Sequence, residues 1–390
     1  MEIEEKARYL IGKENKGNIL CKKFHSISNI NESEIRPTLG DFVDARFSIL
    51  HELALFYFYP MSSYELYRAG TLLGYSSISE IKKNFPNENF SDGDIFKILH
   101  DSKIKEWQVN YWKSKKIGIP NLSEIDIEKR ILLYAISETL SSLIDTLNPN
   151  QKFCFFNIGI LNAQLQVFSD HYCNPVEEKC AASRENINKK ESCYFKIFVS
   201  EDKERIVFQM YDKENLEKVI ESLIDSIVSD NENKVTEKRE KLGSVVHISI
   251  NQSVNYLLLS ISKGHLVLSK FAGKKIGELI AEKSKQDSLI SVLDYLNNLF
   301  IRLKIGIIET ELTPDCIRIK MKESLYSAGV ENIGITLCAF IAGIVNGMLN
   351  KATNVKWIVR EVQCLANGDE ECEFLCQTEN PETLKHLLLG

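Results

Sequence analysis

Six of the ten cysteines in this chain fall into a pattern that occurs twice. Cys154 opens the run Cys-Phe-Phe-Asn-Ile-Gly-Ile-Leu-Asn, and Cys338 opens Cys-Ala-Phe-Ile-Ala-Gly-Ile-Val-Asn. From each of them a glutamate follows at 23 residues (Glu177, Glu361) and a second cysteine at 26 (Cys180, Cys364). A third cysteine then stands inside Cys-Tyr-Phe (Cys193) or Cys-Glu-Phe (Cys372). Three soft thiolates and a carboxylate make a closed four-ligand set of the kind that holds a structural metal. Thiolates select zinc, with iron second, over magnesium or calcium. Four protein ligands leave no open coordination position, so such a metal braces rather than catalyses. The competing reading is a set of buried structural thiols, since free cysteine is among the most buried residue types. That reading leaves the repeated glutamate unexplained, because an unpaired carboxylate in a core is costly.

The elements that carry these residues follow from local pattern. Gly70 and Gly74 in the first copy, and Gly273 and Gly277 in the second, are pairs four apart on one helix face, where a missing side chain admits a second backbone. Ser137–Leu140 and Lys322–Leu325 match just upstream of each first cysteine. In the second copy Ser288–Ile301 reads as a helix, and Ile317, Ile319 and Met321 alternate with Arg318, Lys320 and Lys322 as on a strand. Cys338–Leu349 has helical apolar spacing. Val355–Ala366 and Glu371–Gln377 form a hairpin about a turn at Asn367-Gly368-Asp369, where Asn-Gly suits two residues of positive φ. Glu361 and Cys364 are three apart, so a regular strand aims them at opposite faces and a bulge or strand end is required between them. The first copy carries a longer hairpin tip, Ser183–Lys190, and an insert with Trp107, Val109 and Trp112 that reads as core cover. Cys21, Cys173, Cys316 and Cys376 have no repeat counterparts, although Cys173 and Cys376 lie near enough in sequence to be substitute ligands.

A chain of 390 residues fits two ordinary domains. Its 44% hydrophobic and 26% charged residues are those of a soluble globular protein, and its net charge of −6 argues against a nucleic-acid face. No early basic stretch precedes an apolar run, and no apolar run nears the roughly 20 residues that span a bilayer. The expectation is a cytoplasmic protein without a transmembrane segment. Leu216, Val219, Ile220, Leu223, Ile224, Ile227 and Val228 follow an amphipathic helical pattern, and the charged stretch Asp230–Lys241 after them reads as solvated.

On these residues the chain resembles the 4-vinyl reductase (4VR) domain family, twice in tandem. That family's signature is a Gly-x-x-x-Gly helix, a cysteine-led glycine-bearing helix, Glu-x-x-Cys and Gly-Asp-x-x-Cys-x-Phe. The second copy carries Gly273, Gly277, Cys338, Gly343, Glu361, Cys364, Gly368, Asp369, Cys372 and Phe374. The first carries Gly70, Gly74, Cys154, Gly159, Glu177, Cys180, Cys193 and Phe195, and lacks the Gly-Asp turn. The resemblance implies an α/β (α+β) fold shared with TRAPP core subunits and phenol-sensor domains: an antiparallel sheet packed with helices, an apolar interior pocket and a helical dimer face. It implies a Cys₃Glu zinc site bracing the pocket wall, with Ala342, Val345, Met348 and Val359 as ligand-lining residues.

The resulting layout is a first domain over 1–205 with an N-terminal extension and insert, an amphipathic helix and charged linker over 206–245, and a second domain over 246–390. The two domains are expected to form an intramolecular pseudo-dimer or to join in a homo-oligomer. The expected function is hydrophobic small-molecule binding or sensing with up to two zinc ions per chain and output through a protein partner. The alternatives are a TRAPP-like scaffold, or a reductase-associated protein acting on a tetrapyrrole or similar substrate. The chain has no Gly-x-Gly-x-x-Gly fingerprint, no phosphate-binding Gly-x-x-x-x-Gly-Lys-Ser/Thr loop and no evident acid–base constellation, which weighs against catalysis.

Overall fold

A computed structural model describes residues 35–59, 62–77, 81, 85, 95–144, 152–169, 171–182, 192–201, 213–231, 233–261, 264–330 and 332–389. The first hairpin's tip, Ser183–Lys190, lies outside the described residues. In chain order the principal elements are α1 (Ala45–Phe58), α2 (Ser62–Ser76), α3 (Ser102–Lys115), β1 (Ile119–Asp126), β2 (Ile131–Ser137), α4 (Phe155–Val167), β3 (Tyr172–Lys179) and β4 (Cys193–Ser200). They continue with α5 (Lys213–Val228), α6 (Ser249–Ile261), α7 (His265–Lys283), α8 (Leu289–Arg302), β5 (Ile307–Leu312), β6 (Ile317–Lys322), α9 (Ala339–Thr353), β7 (Trp357–Gln363), β8 (Cys372–Thr378) and α10 (Pro381–Leu389). No helix among the described residues is long and apolar enough to cross a membrane.

Each repeat builds a four-stranded antiparallel sheet of the same order, β1-β2-β4-β3 in the first and β5-β6-β8-β7 in the second. Alternation sets the sheet faces. Ile317, Ile319 and Met321 are fully buried along β6, while Arg318 turns outward to pair with Glu373 of β8. The glycine pairs do what their spacing predicts. A Cβ on Gly273 would stand 2.1 Å from the Phe340 carbonyl oxygen, and one on Gly343 would stand 2.2 Å from the Lys270 carbonyl oxygen. The backbones of α7 and α9 therefore touch, with glycine on both sides, and α2 crosses α4 in the same way through Gly70 and Gly159.

The chain divides into two compact units, neither of them continuous in sequence. The first comprises Met1–Asn29, Pro60–Asn215 and Asn233–Leu257; the second comprises Ile30–Tyr59, Leu216–Glu232 and Leu258–Gly390. The segment that leads each repeat thus belongs to the unit built around the other repeat's sheet. The docking is equivalent on the two sides. In the second unit Arg36 is fully buried and donates from Nη2 to the Lys304 carbonyl at 2.6 Å, while Glu323 accepts from the amides of Thr38 at 2.9 Å and Leu39 at 2.8 Å. In the first unit Arg239 is fully buried and donates to the carbonyls of Glu138 and Lys116, while Glu138 accepts from the amides of Lys241 at 3.0 Å and Leu242 at 2.8 Å.

This arrangement differs from a linker over 206–245. The apolar stripe Leu216, Val219, Ile220, Leu223, Ile224 and Ile227 of α5 is buried in the second unit, where Arg302 donates to the Ile227 carbonyl at 2.9 Å and Lys283 pairs with Asp225 at 2.8 Å. The charged stretch after it is not uniformly solvated, because Arg239 and Leu242 are buried. A charge run looks solvated when its partners lie a hundred residues away, as Glu138 does here.

Replacing Gly273 with Val will lower unfolding stability by about 3 kcal/mol in urea titration, because neither backbone of the crossing can retreat from the added side chain. A fragment of residues 246–390, which lacks Arg36, α1 and α5, will show no cooperative thermal transition, whereas the full chain will.

Candidate metal centre

Each candidate cage forms where a helix start meets the open end of a hairpin. Cys338 and Cys154 are the N-cap residues of α9 and α4, and neither side chain caps its helix. The exposed amides of a helix start attract negative charge. Here the Cys338 amide donates to Glu361 Oε2 at 2.9 Å, and the Cys154 amide donates to Glu177 Oε2 at 3.4 Å. The bulge required by the three-residue spacing is present in both hairpins. Pairing slips by one residue where Glu373 and Phe374 face Gln363 and Glu361, and again between Glu177 and Lys179. Cys364 lies just beyond the end of β7 and starts the 3₁₀ turn Leu365–Asn367.

The turn itself differs from the expected two-residue form. Gly368 alone takes positive φ (+94°), after the 3₁₀ turn, and Asn367 does not. Asp369 closes it by accepting from the Cys364 amide at 2.8 Å, so the Gly-Asp pair fixes the backbone of a cage cysteine.

The structure brings together the four residues of each set. In Cys338/Glu361/Cys364/Cys372 and in Cys154/Glu177/Cys180/Cys193, one potential ligand atom from each residue lies within 4.8 Å of the other three. Cys173 and Cys376 are buried but belong to neither group. A tetrahedral ion with bonds of about 2.3 Å to sulphur sets sulphur–sulphur edges of about 3.8 Å. The second set shows 3.7 Å between Cys338 and Cys372 and 3.8 Å between Cys372 and Cys364. The first shows 3.9 Å between Cys154 and Cys180 but 3.0 Å between Cys154 and Cys193. The second cage therefore has tetrahedral edges as it stands, while the first is compressed along one edge.

Protonation also points to a missing positive charge. Burial pushes the thiols of Cys338 and Cys154 well above their ordinary range, and it pushes the Glu177 carboxyl up to about 8. Burial also raises Glu361, aided by Cys364. One sulphur per cage goes the other way. Hydrogen bonds from Cys338, Cys364 and Ser327 hold Cys372 down to about 4, and Cys193 is held low against its burial by Cys154, Cys180, Ser141 and Thr139. Four acids around one point cannot all ionise without a cation. Glu361 Oε1 and Glu177 Oε1 are buried without a hydrogen-bond partner, one orphaned carboxylate oxygen in each cage. The donor set, the edges of the second cage and these orphaned oxygens all fit a divalent ion. Both Cys/Glu clusters can hold one.

Hydroxyls around the sulphurs went unread in the sequence. Ser327 Oγ lies 3.0 Å from Cys372 Sγ, and Ser324 Oγ lies 3.2 Å from Cys338 Sγ. Ser141 Oγ is 3.0 Å from Cys154 Sγ, and Thr139 Oγ1 is 3.4 Å from Cys193 Sγ. The repeated Glu-Thr-Leu and Glu-Ser-Leu segments upstream of each cage were the signal, since Thr139 and Ser324 occupy matching places in them. The four residues expected to line a pocket are all buried. Ala342, Val345 and Met348 recur at three-residue intervals along α9, and Val359 lies on β7, where its carbonyl accepts from Lys270.

Comparison with known proteins agrees with this arrangement. The V-4-R (vinyl-4-reductase) domain model matches residues 317–378, which run from β6 to β8 and include all four members of the second cage. An uncharacterized Methanocaldococcus jannaschii protein, MJ0150, is 32% identical over 171 residues, or 43% of this chain and 94% of that protein. A second uncharacterized protein of that organism, MJ1642, is 26% identical over 137 residues, or 35% of this chain and 80% of that protein. Among solved structures, a vinyl-4-reductase family protein from the same organism overlaps with a TM-score of 0.30 at 18% identity, covering 41% of this chain and 94% of its own. The phenol-responsive sensory domain of the transcription activator PoxR, solved with phenol, overlaps at 0.26 and 13% identity, covering 49% and 86%. With one relative matched along nearly its full length at that identity, and the domain model spanning the strand, helix and hairpin of the second cage, this chain belongs to the vinyl-4-reductase domain family.

Proposed function

We propose that this chain binds a small apolar molecule inside its vinyl-4-reductase-type units, and that two structural zinc ions, one per cage, brace the walls of the binding space. The observation that carries this reading is where the second cage sits. It ties the first residue of the α9 segment to the β7–β8 hairpin. The next buried side chains on those same two elements, Ala342, Val345 and Met348 on α9 and Val359 on β7, are the apolar wall that such a tie would hold in place. A bound zinc ion would supply the positive charge that lets three thiolates and a carboxylate ionise together, and no more than that. Cys338, Glu361, Cys364 and Cys372 would hold one ion, and Cys154, Glu177, Cys180 and Cys193 the other. Ser327 and Ser324, and Ser141 and Thr139, would orient the sulphurs from outside, as outer hydrogen bonds do at metal sites. Signal output, if the protein is a sensor, passes through a protein partner.

Purified protein will contain about two zinc ions per chain by elemental analysis, as two closed four-ligand sites require. Changing Cys372 to Ser will leave about one, and protein free of zinc would remove the cages from the account. Native mass spectrometry of unheated protein will show a co-purified small molecule released on denaturation. A chain that carries its metal but never any such molecule, and takes up none from a panel of apolar compounds, would leave the zinc and overturn the binding role.

A further inference from the structure

The second unit buries a group of polar atoms that the cage does not use. His51 on α1 and His265, the first residue of α7, are 1% and 3% exposed, and Ser269 one turn along α7 is fully enclosed. His51 Nδ1 pairs with the Tyr326 hydroxyl at 3.1 Å. His51 Nε2, His265 Nε2 and Ser269 Oγ have no hydrogen-bond partner. His265 and Ser269 are four apart and share a helix face. Helix α1 packs on α7, and a charge on His265 opposes one on His51, so the two imidazoles are neighbours. Rings surround them: Phe340 lies 4.4 Å and Tyr326 5.4 Å from the His51 ring, and Phe47 lies 6.0 Å from Phe340.

An unpaired buried polar atom costs about 1–3 kcal/mol, so three in one corner call for something that bonds to them. The fold itself does not need the imidazoles. The stretch from Arg36 to Gly74 matches that from Arg239 to Gly277 without a gap, and the counterparts of His51 and His265 are Val254 and Ser62. Val254 is equally buried.

The chemistry of the corner selects its occupant. When the Tyr326 hydroxyl donates to His51 Nδ1, the imidazole proton sits on Nε2, which then donates inward. Ser269 and the other imidazole add donors, and α7 begins at Gly264 with no side-chain cap, which brings the positive end of a 19-residue helix to the same place. Several donors and a helix start suit a group that only accepts, and a carboxylate offers about four lone-pair sites. We propose that His51, His265 and Ser269 anchor the carboxylate of a small apolar acid whose body lies against Phe47, Phe340 and Tyr326. This rests on the small-molecule reading above and names the class of molecule.

Burial holds both imidazoles neutral in the empty corner, His51 down to about 3 with help from His265, and His265 down to about 4. Glu52, beside His51 on α1, is pushed up to about 8 by burial and keeps its proton near neutral pH. No positive side chain waits for the ligand, so a carboxylate entering from neutral solution takes one proton in with it, held on an imidazole or on the acid itself.

Calorimetry on the full, zinc-loaded chain at neutral pH tests this, with benzoate and hexanoate as probes and benzyl alcohol as the uncharged control, in two buffers of different ionisation enthalpy. At least one acid will bind with uptake of about one proton, and roughly tenfold more tightly than the alcohol. His265→Leu and His51→Val will each weaken that acid by roughly tenfold or more while leaving thermal stability equal or higher, since an orphaned polar group is gone. Failure of both acids to bind, binding without proton uptake, or unchanged affinity in both variants would overturn the proposal. So would variants that lose stability and keep affinity, the mark of a buried water network. If the alcohol binds as well as the acids, the small-molecule role stands and the carboxylate site falls.

Discussion

Three thiols and a carboxyl gathered within 4.8 Å, almost without solvent, form an arrangement that the protein alone cannot leave fully charged. In each cage burial loads protons onto most of the four groups, and a helix start offers only an amide to the carboxylate. A cation at the centre resolves this, because it lets every ligand ionise and bond to the same point. Much of the second unit follows from that point. It fixes where α9 begins, and so where Gly343 meets α7 and where Phe340 meets His51. It also fixes the open end of the β7–β8 hairpin, whose bulge at Val362 lets Glu361 and Cys364 face the same centre.

The second organising feature is the exchange of leading segments. A buried arginine, a glutamate that accepts two successive amides, and a glycine of positive φ recur on both sides as Arg36, Glu323 and Gly40, and as Arg239, Glu138 and Gly243. Each leader docks on the unit built around the other repeat's sheet, so neither repeat completes its own core. The imidazole corner is a product of this exchange, since His51 comes from the first repeat's leader and His265 from the second repeat's own helix. A feature specific to one unit is thereby built from residues of both repeats.

The cages were legible in the sequence because a metal site needs fixed residue types at fixed offsets, and a duplication displays those offsets twice. The glycine crossings were legible for the same reason, since Gly273 and Gly277 mark a face that only a second backbone can fill. The leader exchange was not. Arg239 lies in a run of charges, and what buries it is Glu138 and Lys116, more than a hundred residues away. Local pattern reads such a residue as solvated, which is why 206–245 looks like a linker. The Asn-Gly turn misled in a different way. Its residues suit a tight hairpin, but the bulge and the need to place Cys364 shifted the turn into a 3₁₀ form with only Gly368 in the left-handed region. Hydroxyls such as Ser327 carry no spacing rule of their own and emerge only once the sulphurs are placed.

X-ray absorption at the zinc edge on protein purified without added metal addresses the central claim most directly. The account predicts a first shell of about three sulphurs at about 2.3 Å and one oxygen at about 2.0–2.2 Å, averaged over both cages. A shell of nitrogen and oxygen alone, or no zinc edge at all, would contradict it.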